Sequence, residues 1–227
     1  MTAEELYQKG CNAYDENDFE AAFSYYLQAA EMGNTEAECE VGFCYLNGDG
    51  VLDDDHEAAK WFQRAAEKGN MEAQYELGEY YSFYYWKRLS MENAFGWYLK
   101  AADQGHLDSA YKVAMMYKAG TGTGQNYEKA LEYFMIVANS KGDPFENPIE
   151  KSMKEIGWLY YYGQGVEKDE YTALLWFKDS VEQFISYPNP KHWTEKVKSI
   201  VRIPSDPTVW EHLSKYIDKD KNLITRN

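Results

Sequence analysis

The chain is poor in the residues that usually announce chemistry. Three of its 227 residues are cysteines (Cys11, Cys39 and Cys44), an odd number without metal-ligand spacing. That argues against a disulfide framework and for a reducing compartment, with the thiols serving as small buried apolar groups. The four histidines, His56, His106, His192 and His212, lie far apart, and no pair has the spacing of a zinc-binding helix. Long apolar runs are also missing. No stretch approaches the roughly 18–20 apolar residues that a membrane span needs. The opening MTAEELYQKG is acidic and polar with no apolar run behind it, so neither a leader nor an anchor is expected, and a cytoplasmic location is.

Basic residues are scarce in one place only. Residues 1–80 hold 19 Asp and Glu but just Lys9, Lys60, Arg64 and Lys68, a balance of -15 that equals the net charge of the whole chain. Residues 81–227 carry 19 acids and 19 bases. Nucleic acid and anionic membranes need clustered positive charge, so both are excluded as partners of the acidic third. A basic partner is allowed there, as is a purely solubilising role for the charge.

The motifs of catalysis are equally absent. GTGTGQNYEK (120–129) is glycine-rich but has no Gly-Lys-Ser/Thr and no preceding strand. Asp53-Asp54-Asp55 lacks the glycine and glutamate of a calcium loop. Asp55 is instead expected to cap a helix beginning near His56, where negative charge is favoured. His106, close to Asp108 at a predicted helix start, reads as a surface residue. No Ser/His/Asp set or carboxylate pair can be assembled. The expectation is a protein without metal or cofactor that is not an enzyme.

What is abundant is aromatic side chain, 17% of the residues with 21 tyrosines and seven tryptophans, and it recurs in register. AECEVGFCYLNGDGV (37–51), AQYELGEYYSFYYWK (73–87), SAYKVAMMYKAGTGT (109–123) and SMKEIGWLYYYGQGV (152–166) share one pattern, small-x-x-x-apolar-small-x-x-Tyr. Positions i, i+4 and i+8 fall on one helical face, and the small residue beside the apolar one admits a neighbouring helix. A second pattern follows each: AAKWFQRAAEKG (58–69) matches AFGWYLKAADQG (94–105), with AFSYYLQAAEMG (22–33) upstream and weaker copies at 130–141 and 173–184. Paired alanines such as Ala58/Ala65 permit close packing, while Trp61/Phe62, Trp97/Tyr98 and Trp176/Phe177 supply bulk. Gly33, Gly69 and Gly105 fall where a left-handed C-cap wants glycine. The steps from Gly42 to Gly78 and from Gly78 to Ala114 are both 36 residues. A helix pair of this size cannot bury its apolar face alone, so five stacked pairs must share one core.

The combination A-x-x-x-L-G-x-x-Y-x-x-G-x-G-V, then Asp, then A-x-x-W-[FY]-x-[KR]-A-A-E-x-G, resembles the SEL-one-like repeat (SLR) family, a relative of the tetratricopeptide repeat. Residues 37–69 carry nearly all of it, including Gly48, Gly50 and Val51, and residues 152–177 keep Gly163, Gly165 and Val166. The first pair has the shorter tetratricopeptide spacing, 12 residues from Gly10 to Ala22 against 16 from Gly42 to Ala58. The resemblance implies an all-α, right-handed superhelical solenoid of about five antiparallel helix pairs plus a C-terminal helical cap. The pairs are expected at 3–33, 34–69, 70–105, 106–142 and 150–183, making a solenoid over 1–183, with 184–227 as cap and tail.

Three places depart from the pattern. After Tyr81 the chain reads SFYYWKRLSMEN without a glycine, so either the helix runs on or the turn is rebuilt around Tyr84, Tyr85 and Trp86. The aromatics of 82–87 either pack on adjacent pairs or form a patch for a partner. Between the fourth and fifth pairs an insertion carries Pro144 and Pro148, which should halt helix and favour loop. It either shifts the stacking or reaches over the groove. Beyond Gln183 the repeat fades into helices expected at 194–202 and 207–219.

The resemblance further implies that the first helix of each pair lines a concave groove. By position this gives Glu4, Tyr7, Cys11, Tyr14 and Asp15 in the first pair and Glu36, Cys39, Phe43, Leu46 and Asn47 in the second. The third gives Glu72, Tyr75, Glu79, Ser82 and Phe83, and the fourth Asp108, Tyr111, Met115, Lys118 and Ala119. The fifth gives Lys151, Lys154, Trp158, Tyr161 and Tyr162. Tyr7, Tyr14, Glu36, Phe43, Glu72, Tyr75, Glu79, Phe83, Tyr111, Trp158 and Tyr162 are the residues expected to meet a partner. The groove should be acidic and aromatic first, then basic and aromatic. The expected function is that of a monomeric, non-catalytic adaptor that binds a protein or peptide, one of basic character being allowed. The alternative is an immunity or antitoxin protein that neutralises a basic toxin.

Overall fold

The computed structural model describes residues 1–83, 88–140 and 147–182, together with 211, 214 and 215. Among them are ten helices and no strand: α1 (Ala3–Asp15), α2 (Phe19–Glu31), α3 (Thr35–Asn47), α4 (Asp55–Glu67), α5 (Met71–Phe83), α6 (Arg88–Asp103), α7 (Leu107–Ala119), α8 (Tyr127–Ala138), α9 (Asn147–Tyr162) and α10 (Glu170–Glu182). The chain parts into two compact units within α7. The first comprises Met1–Ser109 with 121–123, and the second Ala110–Gly120 with 124–227. In the first unit α1 packs on α2, α3 on α4 and α5 on α6, with α2 on α3 and α4 on α5 linking successive pairs. In the second, α9 packs on α10 and α8 on α9.

Seven of the ten described helices begin where a short polar side chain accepts from a free N–H of the first turn. Thr2 and Glu5 form a reciprocal capping box. Asp18, Asn34 and Asn126 accept from Ala21, Ala37 and Lys129 at 3.1, 2.7 and 2.9 Å. The cap of α4 is Asp54, not Asp55. Its carboxylate accepts from the N–H groups of both His56 and Glu57, so the helix starts one residue earlier than its sequence indicates. The Gly33, Gly69 and Gly105 stops adopt the positive φ the sequence called for.

The pairs are closed by one recurring contact. A methyl group added to Gly10 would sit 2.5 Å from the Tyr26 ring, one on Gly42 2.6 Å from Phe62, and one on Gly157 2.5 Å from Phe177; Gly78 and Tyr98 stand in the same relation. All four rings are buried. Of each aromatic doublet, then, it is the second residue that fills the core. Trp61 and Trp97 remain half-buried, with Arg64 at 4.2 Å and Lys100 at 3.7 Å over their rings.

The loop following the first helix is four residues longer in the second pair (48–54) than in the first (16–18), as the spacings predict. Its second glycine, Gly50, has φ 72° and lies against the backbone of Phe19, where any Cβ would collide with the carbonyl. The loop thus seats on the start of the previous pair's second helix. Gly165 does the same against Tyr127 and Glu128 in the second unit.

The insertion differs from its expectation. Pro148 does not halt a helix but is buried in the first turn of α9, where no intrahelical N–H bond is lost. Pro144, the aromatics at 84–86 and the helices expected at 194–202 and 207–219 lie outside the described residues, apart from Glu211, Ser214 and Lys215. Lys215 pairs with Glu170 at 2.5 Å, at the start of α10.

The ring contacts make opposite predictions for two helical glycines. Gly42→Ala gains about 1 kcal/mol of helix propensity but drives a methyl into a confined ring, at a cost of about 1–3 kcal/mol. A net loss of roughly 1 kcal/mol is expected. Gly96→Ala in α6, with nothing within 4 Å of the new methyl, should gain about 0.5–1 kcal/mol. Urea midpoints of the two variants against the parent check both signs.

Candidate functional site

In the first unit α1, α3 and α5 bring together a face that is both aromatic and acidic. Of the expected contact residues there, Tyr7, Phe43, Tyr75 and Glu79 are half-buried, and Tyr14, Glu36, Glu72 and Phe83 are exposed. Their rings lean on the core rings that close each pair. Tyr7 lies 5.9 Å from Tyr26, Phe43 5.1 Å edge-on from Phe62, and Tyr75 6.0 Å from Tyr98. Tyr14 donates to Asp49 at 3.3 Å and Tyr98 to Glu79 at 2.6 Å. Cys39, assigned to the groove by position, is buried instead.

Two carboxylates that positional transfer did not select, Glu40 and Glu76, are half-buried on this face. Burial, and then the neighbouring Glu72, pushes the Glu40 carboxyl above its ordinary value. Burial, then Glu72 and Glu79, pushes Glu76 up to about 7. Burial and the surrounding Glu79, Asp108, Glu76 and Glu72 raise the Tyr75 hydroxyl further still. The sequence signal was available: both lie one helical turn from a predicted groove residue, four positions after Glu36 and Glu72.

The four bases of residues 1–80 are engaged elsewhere. Lys60 pairs with Glu57 at 2.5 Å. Arg64 and Lys68 both reach Glu38, at 2.7 and 2.8 Å, and hold a carboxylate of zero exposure by charge rather than by well-aligned hydrogen bonds. Lys9 lies over the Tyr25 ring. Among the described residues Glu36, Glu40 and Glu76 form no ion pair.

His106 is not the surface residue its sequence suggested. Its Nδ1 accepts from the Ser109 N–H at 3.2 Å, so it caps α7 in the place that Asn34 and Asn70 take in earlier repeats. Its ring packs 4.7 Å from Tyr75, with Nε2 3.7 Å from Glu72. The steps Asn34–Asn70–His106 carried that signal.

A cleft of about 250 Å³ opens on the same face at the C-terminal ends of α3 and α5. Its floor is Ala58, Ala59 and Phe62, its walls Leu46, Tyr80 and Phe83, and its rim Asp55, Glu76 and Glu79. Leu46 and Phe83 are 38% and 71% exposed.

In the second unit Tyr111 and Trp158 are half-buried and Tyr162 is exposed. Trp158 and Tyr162 stack at 5.8 Å and Lys151 lies over Tyr111, while Tyr161 is buried. Of the expected basic residues, Lys118 pairs with Glu155 and Lys154 with Glu150, while Lys151 is exposed. Among the described residues no His, Cys, Asp and Glu cluster could hold a metal, and no helix is long and apolar enough to cross a membrane.

The family model described as Sel1 repeat matches residues 3–34, 35–70, 72–106, 107–134 and 151–183. Two solved structures share the fold. A protective antigen of uropathogenic Escherichia coli strains, displaying an SLR fold, is 24% identical with a TM-score of 0.71, over 94% of this chain and 45% of its own. The chain thus spans under half of that protein's length. A Sel1 repeat protein from Oxalobacter formigenes is also 24% identical with a TM-score of 0.71, over 92% of this chain and 97% of its own. No curated protein matches the sequence.

The raised carboxyl gives a signed prediction. Glu76 holds its proton to about pH 7 when folded, against an ordinary 4.5. Its contribution to stability is therefore full below 4.5 and is lost as pH rises through 7. Glu76→Gln should be stabler than the parent by roughly 1–2 kcal/mol at pH 8, after allowance for its partial solvation, and equal to it near pH 4.5. Urea unfolding at the two pH values checks this; equal stability at pH 8 would mean that Glu76 is well solvated.

Proposed function

The chain belongs to the Sel1 repeat family, and on that premise we propose that it is a non-catalytic scaffold whose first-unit face binds a basic segment of another protein. Sel1 repeats generally mediate protein–protein interactions and generally form non-catalytic scaffolds. The observation that carries the reading is the set of carboxylates Glu36, Glu40 and Glu76, which form no ion pair among the described residues while Arg64 and Lys68 serve Glu38, interleaved with Tyr7, Phe43 and Tyr75 and flanked by Glu72 and Glu79. Carboxylates crowded and partly desolvated to this degree repel one another, and a basic partner relieves the repulsion on binding. Half-exposed rings beside them add contact area at low entropic cost. Tyr14 and Phe83 extend the surface, and Tyr111, Trp158 and Tyr162 offer an aromatic one in the second unit.

The test uses the full chain as bait beside Glu36→Lys/Glu72→Lys/Phe83→Ala and Trp158→Ala/Tyr162→Ala variants. A stoichiometric partner should be captured by the parent, lost from the charge-reversed bait and weakened about tenfold or more as salt rises from low to high. Equal capture by the parent and the charge-reversed bait would place binding elsewhere. A one-to-one complex that resists high salt and yields an inhibited toxin would favour the immunity reading.

A further inference from the structure

The sequence of the third pair lacks the loop glycines, and the cleft is lined in part by the start of α4. In the second pair Gly50 lies on Phe19 at the start of α2, and in the fifth Gly165 lies on Tyr127 at the start of α8. The element in the same relation to the third pair is the start of α4, whose Asp55, Ala58 and Ala59 line the cleft. The sequence after Tyr81, SFYYWKRLSMEN, offers no glycine for the close approach the seat requires. The recess is lined by Leu46 and Phe83 and by the three carboxylates Asp55, Glu76 and Glu79.

Building on the reading of this face as a protein-binding surface, we propose that the cleft is the anchor site for one lysine or arginine side chain of the partner. Its methylene stem lies on Ala58, Ala59 and Phe62 between Leu46 and Phe83, and its cationic end stays at the rim beside Asp55, Glu76 and Glu79. The shape follows from the chemistry. A purely apolar anchor would leave Asp55 and Glu76 facing a dry contact without a counter-charge. An acidic anchor would add to a field that already holds Glu76 protonated to about pH 7. A long basic side chain alone matches an apolar floor and an acidic mouth, since its stem buries while its head remains partly hydrated. Among the described residues neither Asp55 nor Glu76 has an ion-pair partner of its own. A volume of about 250 Å³ admits one such chain.

The test is a titration of the full chain, labelled on its alanine methyl groups, with a glycine–serine host peptide carrying one central lysine, norleucine or glutamate. The lysine peptide should shift the Ala58 and Ala59 signals and bind about fivefold or more tighter than norleucine, with glutamate weakest. In Asp55→Asn/Glu76→Gln the lysine advantage should fall to about twofold or less while norleucine binding stays unchanged. The fold of that variant is verified by its unperturbed remaining methyl signals. Norleucine binding as well as lysine, or Ala58 and Ala59 unmoved by the lysine peptide at about 10 mM, would overturn the anchor. The groove reading would survive that result, because a Glu36→Lys/Glu72→Lys bait that keeps Phe83 tests it through two residues outside the cleft.

Discussion

The contact on which the rest depends is a buried ring against a residue with no side chain. In four of five pairs the first helix places glycine where the second places tyrosine or phenylalanine. In the fourth the same positions are Ala114 and Phe134, both fully buried. The ring fills the space the missing Cβ leaves, so interhelical distance and ring size are set together and neither changes alone without overlap or void. Paired alanines, also fully buried, let the next pair approach with little side-chain bulk between. Because a few small and aromatic positions meet these demands, the opposite face of each first helix is free to carry other chemistry.

That freedom explains where the charge goes. α3 presents Glu36, Glu38 and Glu40 in alternation, and they have different fates. Glu38 points into the packed side and takes both nearby cations, which a buried carboxylate requires. Glu36 is exposed and Glu40 half-buried, and partial solvation lets them do without. The first unit's imbalance is therefore not spread evenly over a solvated surface. Arg64 and Lys68 stabilise one buried acid and Lys60 pairs on α4, while Glu36, Glu40 and Glu76 form no ion pair among the described residues. A merely solubilising role for the acidic third predicts no such sorting.

The fold was legible because its determinants are periodic. The 36-residue step, the alanine pairs and the loop glycines each impose one steric condition, and each repeats. What was not legible turned on differences of one residue or on partners far apart in sequence. Nothing in Trp61-Phe62 says which ring enters the core, since both are large and apolar. Asp54 and Asp55 are chemically equal caps, and only backbone dihedrals at Asp54 decide between them. Pro148 looked like a breaker because proline is tolerated in a first turn and nowhere further in. Lys118 and Lys154 looked like free charge because Glu155 and Glu150, which neutralise them, are groups that positional transfer ignored. His106 was misplaced for the opposite reason: its repeat position was informative and its residue type distracted from it.

The cleft belongs to a different class of feature. A strictly regular array seats every loop on the pair before it and so closes every recess of this kind. Gly50 and Gly165 show how tight that closure is, since neither position has room for a Cβ. At the start of α4, Ala58 and Ala59 instead line a gap bounded by Leu46 and Phe83. Apolar walls left open cost free energy in proportion to the area they leave wet. An apolar gap beside the carboxylates of α5 is more economically explained by an occupant than by drift. The physical marker of a binding site in such a fold is thus the absence of a repeat residue rather than the presence of a motif.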